Sequence, residues 1–361
     1  MKKPFEHEKE YNDTLQALHF SQEAKKRITE KLINTKEQLP ARQKKQRAHR
    51  FPKLAAAGLA AALVLFVGVN TYGVLDAGEA LRGVFGPTAN TEIIDKLGRP
   101  IGASDTDNGV TITADAIMSD GYNFAITYSI ARDDGESFDI DPLERSDGRL
   151  DAFFDQASTN LGLFSDAHGG SYFYDVNPND HTIQYVEKLS YNDLIKPGRT
   201  VKVQFSNLTA SENTADGSSG YRLIAEGTWN LKFELNFETL SATPQAGQTL
   251  TLNGMTGTID SVMVSPLGYR FEYTLNDPSS FEAAPDGQSP DQHEQEWARF
   301  NTSPSIHLAD GSVLDLSDGG GSMHTRDGKT VCVRSGVFDE ILPLESITSI
   351  DIGGVEIPVH P

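Results

Sequence analysis

In the segment TWNLKFELNF, the apolar residues Trp229, Leu231, Phe233, Leu235 and Phe237 alternate with Asn230, Lys232, Glu234 and Asn236. A period of two places one set on each face of a strand, as in an antiparallel sheet buried on one side only. Val201, Val203 and Phe205 repeat the rule in TVKVQFSNL. GVTITADA, NFAITYSI, TIQYVEK, QTLTLNG, YRFEYTL and ITSIDIG are further strand candidates, separated by clusters of Gly, Asp, Asn and Pro. The pattern predicts a mainly β chain beyond residue 103, built as tandem Ig-like β-sandwiches.

Part of the pattern occurs twice. Thr113–Tyr128 resembles Thr258–Leu275, with Thr113 matching Thr258, Asp115 matching Asp260 and Met118 matching Met263. Pairing Gly121–Tyr122 with Gly268–Tyr269, and Phe124 with Phe271, makes the second hairpin's turn two residues longer. The expected domains are 103–240 and 241–361, joined at SATPQAGQ.

Upstream, the period disappears. From Leu54 to Val69 no side chain is polar, and the apolar character continues to Leu75. As a helix, residues 54–75 reach about 33 Å, enough for a hydrocarbon core of about 30 Å. Leu54, Leu63, Phe66 and Val69 represent this membrane anchor. A secretion signal has a shorter apolar core and a shorter preceding segment. A soluble core helix is rarely apolar all round. A single uncleaved transmembrane helix is the expectation, followed by a juxtamembrane linker at 76–102.

Residues 8–38 carry a loose helical stripe that ends at Pro40. Leu18, Ile28, Leu32 and Ile33 lie on it and have no core of their own to enter. Two readings stand side by side: a solvated, partly helical tail, or a helix that folds onto a partner.

Charge sets the orientation. The chain has 31 Lys/Arg and 51 Asp/Glu. Residues 1–53 hold 14 and 7 of these, so this segment is +7 and the remainder −27. Arg42, Lys44, Lys45, Arg47, Arg50 and Lys53 precede the apolar run, and Asp76 follows it. The positive-inside rule puts residues 1–53 in the cytoplasm and residues 76–361 outside the plasma membrane. The basic side suits anionic lipid headgroups. The acidic remainder is no nucleic-acid surface.

IGASDTDNGVTITADAIMSDGYNFAITYSI, with Asp107, Gly109, Val110, Ile112, Asp120 and Gly121, resembles the opening of the domain-of-unknown-function 4179 family of Gram-positive membrane proteins. In that family a basic stub and one span precede such a pair of strands, and an Ig-like domain often follows. Members are often encoded beside extracytoplasmic-function sigma factors and described as anti-sigma-like. The resemblance therefore implies signalling, with a sigma factor as cytoplasmic partner and an extracellular ligand or protein outside. It transfers no catalytic residue. The cytoplasmic segment lacks the cysteine of the zinc-binding anti-sigma motif and is short for a complete sigma-binding domain. A structural or adhesive surface protein anchored by its N-terminal helix is the alternative.

Motifs for chemistry are sparse, and neither an enzyme nor a cofactor is expected. GKT at Gly328–Thr330 would need a glycine where Met323 stands to form a phosphate loop. HGGS at His168–Ser171 has no nucleophile elbow to serve. The lone Cys332 reads as a small buried strand residue. Asp133, Asp134, Asp139, Asp141, Asp147, Asp151 and Asp155 crowd one stretch in no EF-hand spacing. They form either a solvated acidic loop or a weak calcium site, with Asp133, Asp134, Asp139 and Asp141 as the candidate ligands.

Overall fold

Alternation becomes two antiparallel sheets between residues 99 and 234. One sheet has the order β1 (Arg99–Asp107), β2 (Val110–Ser119), β3 (Asn123–Arg132), β7 (Thr182–Tyr191), β6 (Ala167–Tyr174) and β4 (Arg149–Leu150). The other has the order β5 (Ala152–Thr159), β8 (Thr200–Asn213) and β9 (Ser219–Glu234). Their apolar faces share one core, in which Phe205 of β8 meets Tyr128 of β3 edge-to-face and stacks on Phe154 of β5. Trp229 is fully buried, and its indole N–H donates to the Val110 carbonyl across the core at 2.8 Å. Lys232, on the opposite face of the same strand, is exposed.

The computed structural model describes residues 77–85, 91–143, 148–161, 167–175, 177–213, 219–280 and 291–359. The expected span at 54–75 and the stripe at Leu18, Ile28, Leu32 and Ile33 lie outside these residues, as do the anchor positions Leu54, Leu63, Phe66 and Val69. Among the described residues no helix is long and apolar enough to cross a membrane.

The second half repeats the plan. One sheet runs β10 (Thr249–Leu252), β11 (Met255–Val264), β12 (Gly268–Leu275), β16 (Lys329–Val337) and β15 (Gly320–Arg326). The other runs β14 (Val313–Asp315), β13 (Ser305–Leu308), β17 (Ile347–Ile352) and β18 (Val355–Pro358). Thus β1-β2-β3-β7-β6 corresponds to β10-β11-β12-β16-β15, and β5-β8-β9 to β13-β17-β18. Among the described residues, β4 and β14 are edge additions to this plan. Cys332 is buried in β16, as its alternating neighbours imply.

The repeat is longer and more regular than the sequence suggests. Ala114 faces Tyr128 as Ile259 faces Tyr273, and Met118 faces Ala125 as Met263 faces Arg270. Every pair is offset by 145 positions. Both turns are closed in the same way, by Asp120 N–H to the Asn123 carbonyl and Ser265 N–H to the Gly268 carbonyl. The two turns therefore have equal length, which corrects the longer second turn inferred from the Gly-Tyr pairs. Gly268–Tyr269 occupies the place of Asn123–Phe124. A bulge falls at Asp115 in one copy and at Asp260 in the other. Each bulged carboxylate accepts an equivalent hydroxyl, from Ser129 and Thr274 respectively.

Residues read as a linker form two helices, Ala77–Phe85 and Thr91–Leu97. In AGEALRGVF, Ala77, Ala80, Leu81, Val84 and Phe85 make one apolar stripe, with Glu79 in the first turn and Arg82 in the last. The stripe covers Ala116 and Met118 of β2 and Ala125 of β3, on the side of that sheet facing away from its core. The second copy has Ser261, Met263 and Arg270 at the corresponding places and no such helices over them among the described residues. Side-chain polarity thus records which copy is covered.

Candidate functional site

A connected network of buried polar groups lies at the joint where both halves and the helix pair meet. Asp120, at the tip of the β2–β3 hairpin, is almost wholly buried. One carboxylate oxygen accepts the N–H groups of Tyr122 and Asn123 at 2.9 and 2.8 Å. The other accepts the Asn123 side-chain amide at 2.9 Å and the Ser265 hydroxyl at 2.5 Å. Ser265 belongs to the β11–β12 turn, so the two repeated hairpins touch tip to tip. Asn123 extends the network, donating to the Tyr269 carbonyl at 3.3 Å and accepting from the Ser190 hydroxyl at 2.6 Å. Burial pushes the Asp120 carboxyl above the usual range, and the donated hydrogen bonds oppose that shift.

Two cations pin the joint on either side. Lys188 of β7 donates to the Phe338 carbonyl, pairs with Asp339 at 3.2 Å, and lies 5.3 Å from the centre of the Phe85 ring. One ammonium therefore touches the first half, the second half and the first helix. Burial lowers its pKa, and Asp339 partly restores it. Arg270 of β12 reaches across to the Asn192 carbonyl and over the Tyr122 ring. The apolar side of the joint joins Leu81, Phe85 and Ile94 of the helices to Leu267 and Ile341 of the second half.

His168, considered above for its HGGS context, lies on β6 and bonds through Nε2 to the Ser335 carbonyl at 2.9 Å. A carbonyl only accepts, so Nε2 carries the proton. Burial pushes the imidazole below its ordinary pKa. A side chain at Gly320 would fall about 2.0 Å from the imidazole, so this close approach requires glycine.

The residues that carry the family resemblance have structural roles. Asp107 accepts the Thr228 N–H and Asp105 the Asn230 N–H, so carboxylates of β1 cap the open edge of β9. Gly109 holds a positive φ of 76° in the β1–β2 turn. Val110 receives the Trp229 indole, and Ile112 lies in the core.

The calcium candidates separate. Asp133 accepts the Thr111 hydroxyl, and Asp134 pairs with Arg132 at 2.5 Å, which holds its carboxyl down at about 2. These two line an open cleft of about 680 Å³ with Arg132, Asn108 and Glu226. Asp139 pairs with Arg222, while Asp141 offers its carbonyl to the Asp151 N–H. Asp147 lies outside the described residues. No three His, Cys, Asp or Glu side chains converge among the described residues.

The described residues form a mainly β protein with a repeated two-sheet plan. Residues 44–132 match the model of DUF4179, a domain of unknown function. The match runs from the basic segment through the apolar run to the end of β3. No curated protein matches. A solved structure, the conserved domain protein from Bacillus anthracis, is 15% identical with a TM-score of 0.44, over 70% of this chain and 75% of that one.

Proposed function

We propose that the chain is a single-pass, anti-sigma-like regulator: a pair of Ig-like sandwiches outside the membrane senses a ligand, and a cytoplasmic helix holds a sigma factor. The observation that carries this reading is the first helix. Ala77–Phe85 starts two residues after the end of the apolar run and packs its stripe against residues of both halves. A ligand that shifts the joint thereby moves the segment that enters the membrane, and the span passes that shift to residues 1–53. The charge flip at Leu54–Leu75 supports the orientation, and the family match supports treating the span and first strands as one unit. The mechanism needs no catalytic group.

The test has two arms. Protease added to intact, wall-stripped cells should digest residues 76–361 and spare an N-terminal tag. Residues 1–53 should capture the sigma factor encoded nearby, and Ile28→Asp/Leu32→Asp should abolish capture. A protected C-terminus overturns the topology. A wild-type segment that captures nothing, or binds only until salt is added, leaves the anchored surface protein as the better reading.

A further inference from the structure

The outward face of the β5-β8-β9 sheet carries an apolar patch that the core does not explain. Phe153, Thr209 and Leu223 form one cross-strand row, and Ser211 faces Tyr221 in the row beside it. Tyr221 is 75% exposed, Leu223 52% and Phe153 37%. The Phe153 and Tyr221 rings meet edge-to-face at 5.4 Å. An exposed aromatic pair with an aliphatic neighbour on one sheet face marks an interaction surface.

Its border is acidic. Asp151 accepts the Ser211 hydroxyl at one carboxylate oxygen, at the Tyr221 end. Asp155 accepts from Asn207 and Thr209 on the other side of the Phe153 row. None of these row residues is basic. Arg222, between Tyr221 and Leu223, is engaged by Asp139 and Glu212.

The geometry points to this face as the docking site for a cationic amphipathic peptide, its apolar side on Phe153, Tyr221 and Leu223 and its Lys or Arg side chains on Asp151 and Asp155. A net charge of −27 over residues 54–361 draws such a ligand in. Other occupants fit less well. A second copy would oppose acidic border to acidic border. A glycan needs coplanar ring faces, and these rings are crossed. An anionic lipid surface is repelled.

The experiment uses the full chain in zwitterionic-lipid nanodiscs, with empty nanodiscs as background. The probe is a synthetic Leu/Lys helix of about 14 residues carrying one photoreactive leucine, and a Leu/Glu helix is the control. Cross-links should map to β5 and β9 around Phe153, Tyr221 and Leu223. Tyr221→Ser/Leu223→Ser should raise Kd at least tenfold, roughly the loss of one buried apolar anchor. Leu194→Ser, at another exposed apolar residue, should leave Kd unchanged. Asp151→Asn/Asp155→Asn should weaken binding and flatten its salt dependence. Cross-links elsewhere, equal binding by the Tyr221/Leu223 variant, or equal binding of the Leu/Glu helix would overturn the proposal. So would self-association of the wild type through this face that excludes the probe. Binding is read on purified protein, so its failure is distinguishable from a failure of the topology or of sigma-factor capture.

Discussion

Ser265 stands 145 positions after Asp120, at the same place in the repeated hairpin, and its hydroxyl donates to the Asp120 carboxylate at 2.5 Å. Equivalent residues of a duplicated fold have become donor and acceptor in one buried bond between the copies. Asp120→Ala removes the acceptor for two backbone N–H groups, the Asn123 amide and the Ser265 hydroxyl. Unpaired buried groups cost about 1–3 kcal/mol each, so the expected loss is at least about 3 kcal/mol. Ser265→Ala should cost less, although it also strands the Leu267 and Gly268 N–H groups. A double-mutant cycle by urea denaturation of residues 77–361 should give a coupling above about 0.5 kcal/mol. Additive losses would mean that the bond does not join the halves energetically.

Trp229 and Lys232 test the two faces of β9. Trp229→Phe keeps a ring but leaves the Val110 carbonyl without its donor, for an expected loss of about 2 kcal/mol. Trp229→Asp should prevent folding. Lys232 lies directly opposite Lys202 across β8, and both are exposed. Directly opposed like charges destabilise a sheet, so Lys232→Glu should stabilise the protein by a few tenths of a kcal/mol. A marked loss of melting temperature for Lys232→Glu would show that this face is covered.

That strand was legible in the sequence because its two faces differ at every step from Trp229 to its end at Glu234, and the alternation in burial runs on to Phe237. The early part of β9 was not, because Tyr221 and Leu223 are apolar yet point to solvent. Periodicity cannot separate a buried face from an exposed sticky one. The helices at 77–97 escaped notice because each is at most nine residues long and Gly83 interrupts the first. Their stripe acquires meaning only against Ala116, Met118 and Ala125, which come later in the chain. The repeat was visible, but its register was not. Gly-Tyr dipeptides attract the eye, whereas the structure aligns the bulges at Asp115 and Asp260. The candidate aspartates stay in one irregular segment after β3 but take different partners: Thr111 for Asp133, Arg132 for Asp134 and Arg222 for Asp139.

Asp115 and Asp260 differ in one respect: the first is buried and the second exposed. Burial raises the Asp115 carboxyl from 3.8 to about 7, against the pull of the Ser129 hydroxyl. The folded state therefore holds this proton more tightly than the unfolded state. The stabilisation is complete below about pH 4 and is lost as pH rises through about 7. At pH 8 the buried carboxylate costs up to roughly 4 kcal/mol, at about 1.4 kcal/mol per pKa unit. Asp115→Asn should flatten the stability profile between pH 4 and pH 8 and stabilise the protein at the alkaline end. Parallel profiles for wild type and variant in denaturant titrations would refute the assignment.

The link between the helix pair and the apolar run is the most direct test of the proposed regulator. Leu81 and Phe85 are buried against both halves, and in the sequence only Asp76 separates Leu75 from Ala77. Inserting about six Gly/Ser residues between Leu75 and Asp76 adds slack without touching any packed side chain. Residues 77–361 should melt as before, because their core and joint are intact. A sigma-dependent reporter should stop responding to whatever signal the outer unit receives, because motion is no longer passed to the span. Leu81→Ser should silence the reporter too, but with a lower melting temperature, since it loosens the apolar joint itself. An anchored surface protein predicts no change in the reporter for either variant. An unchanged response in the insertion variant, with normal melting and normal membrane insertion, would dissociate the helix pair from signalling.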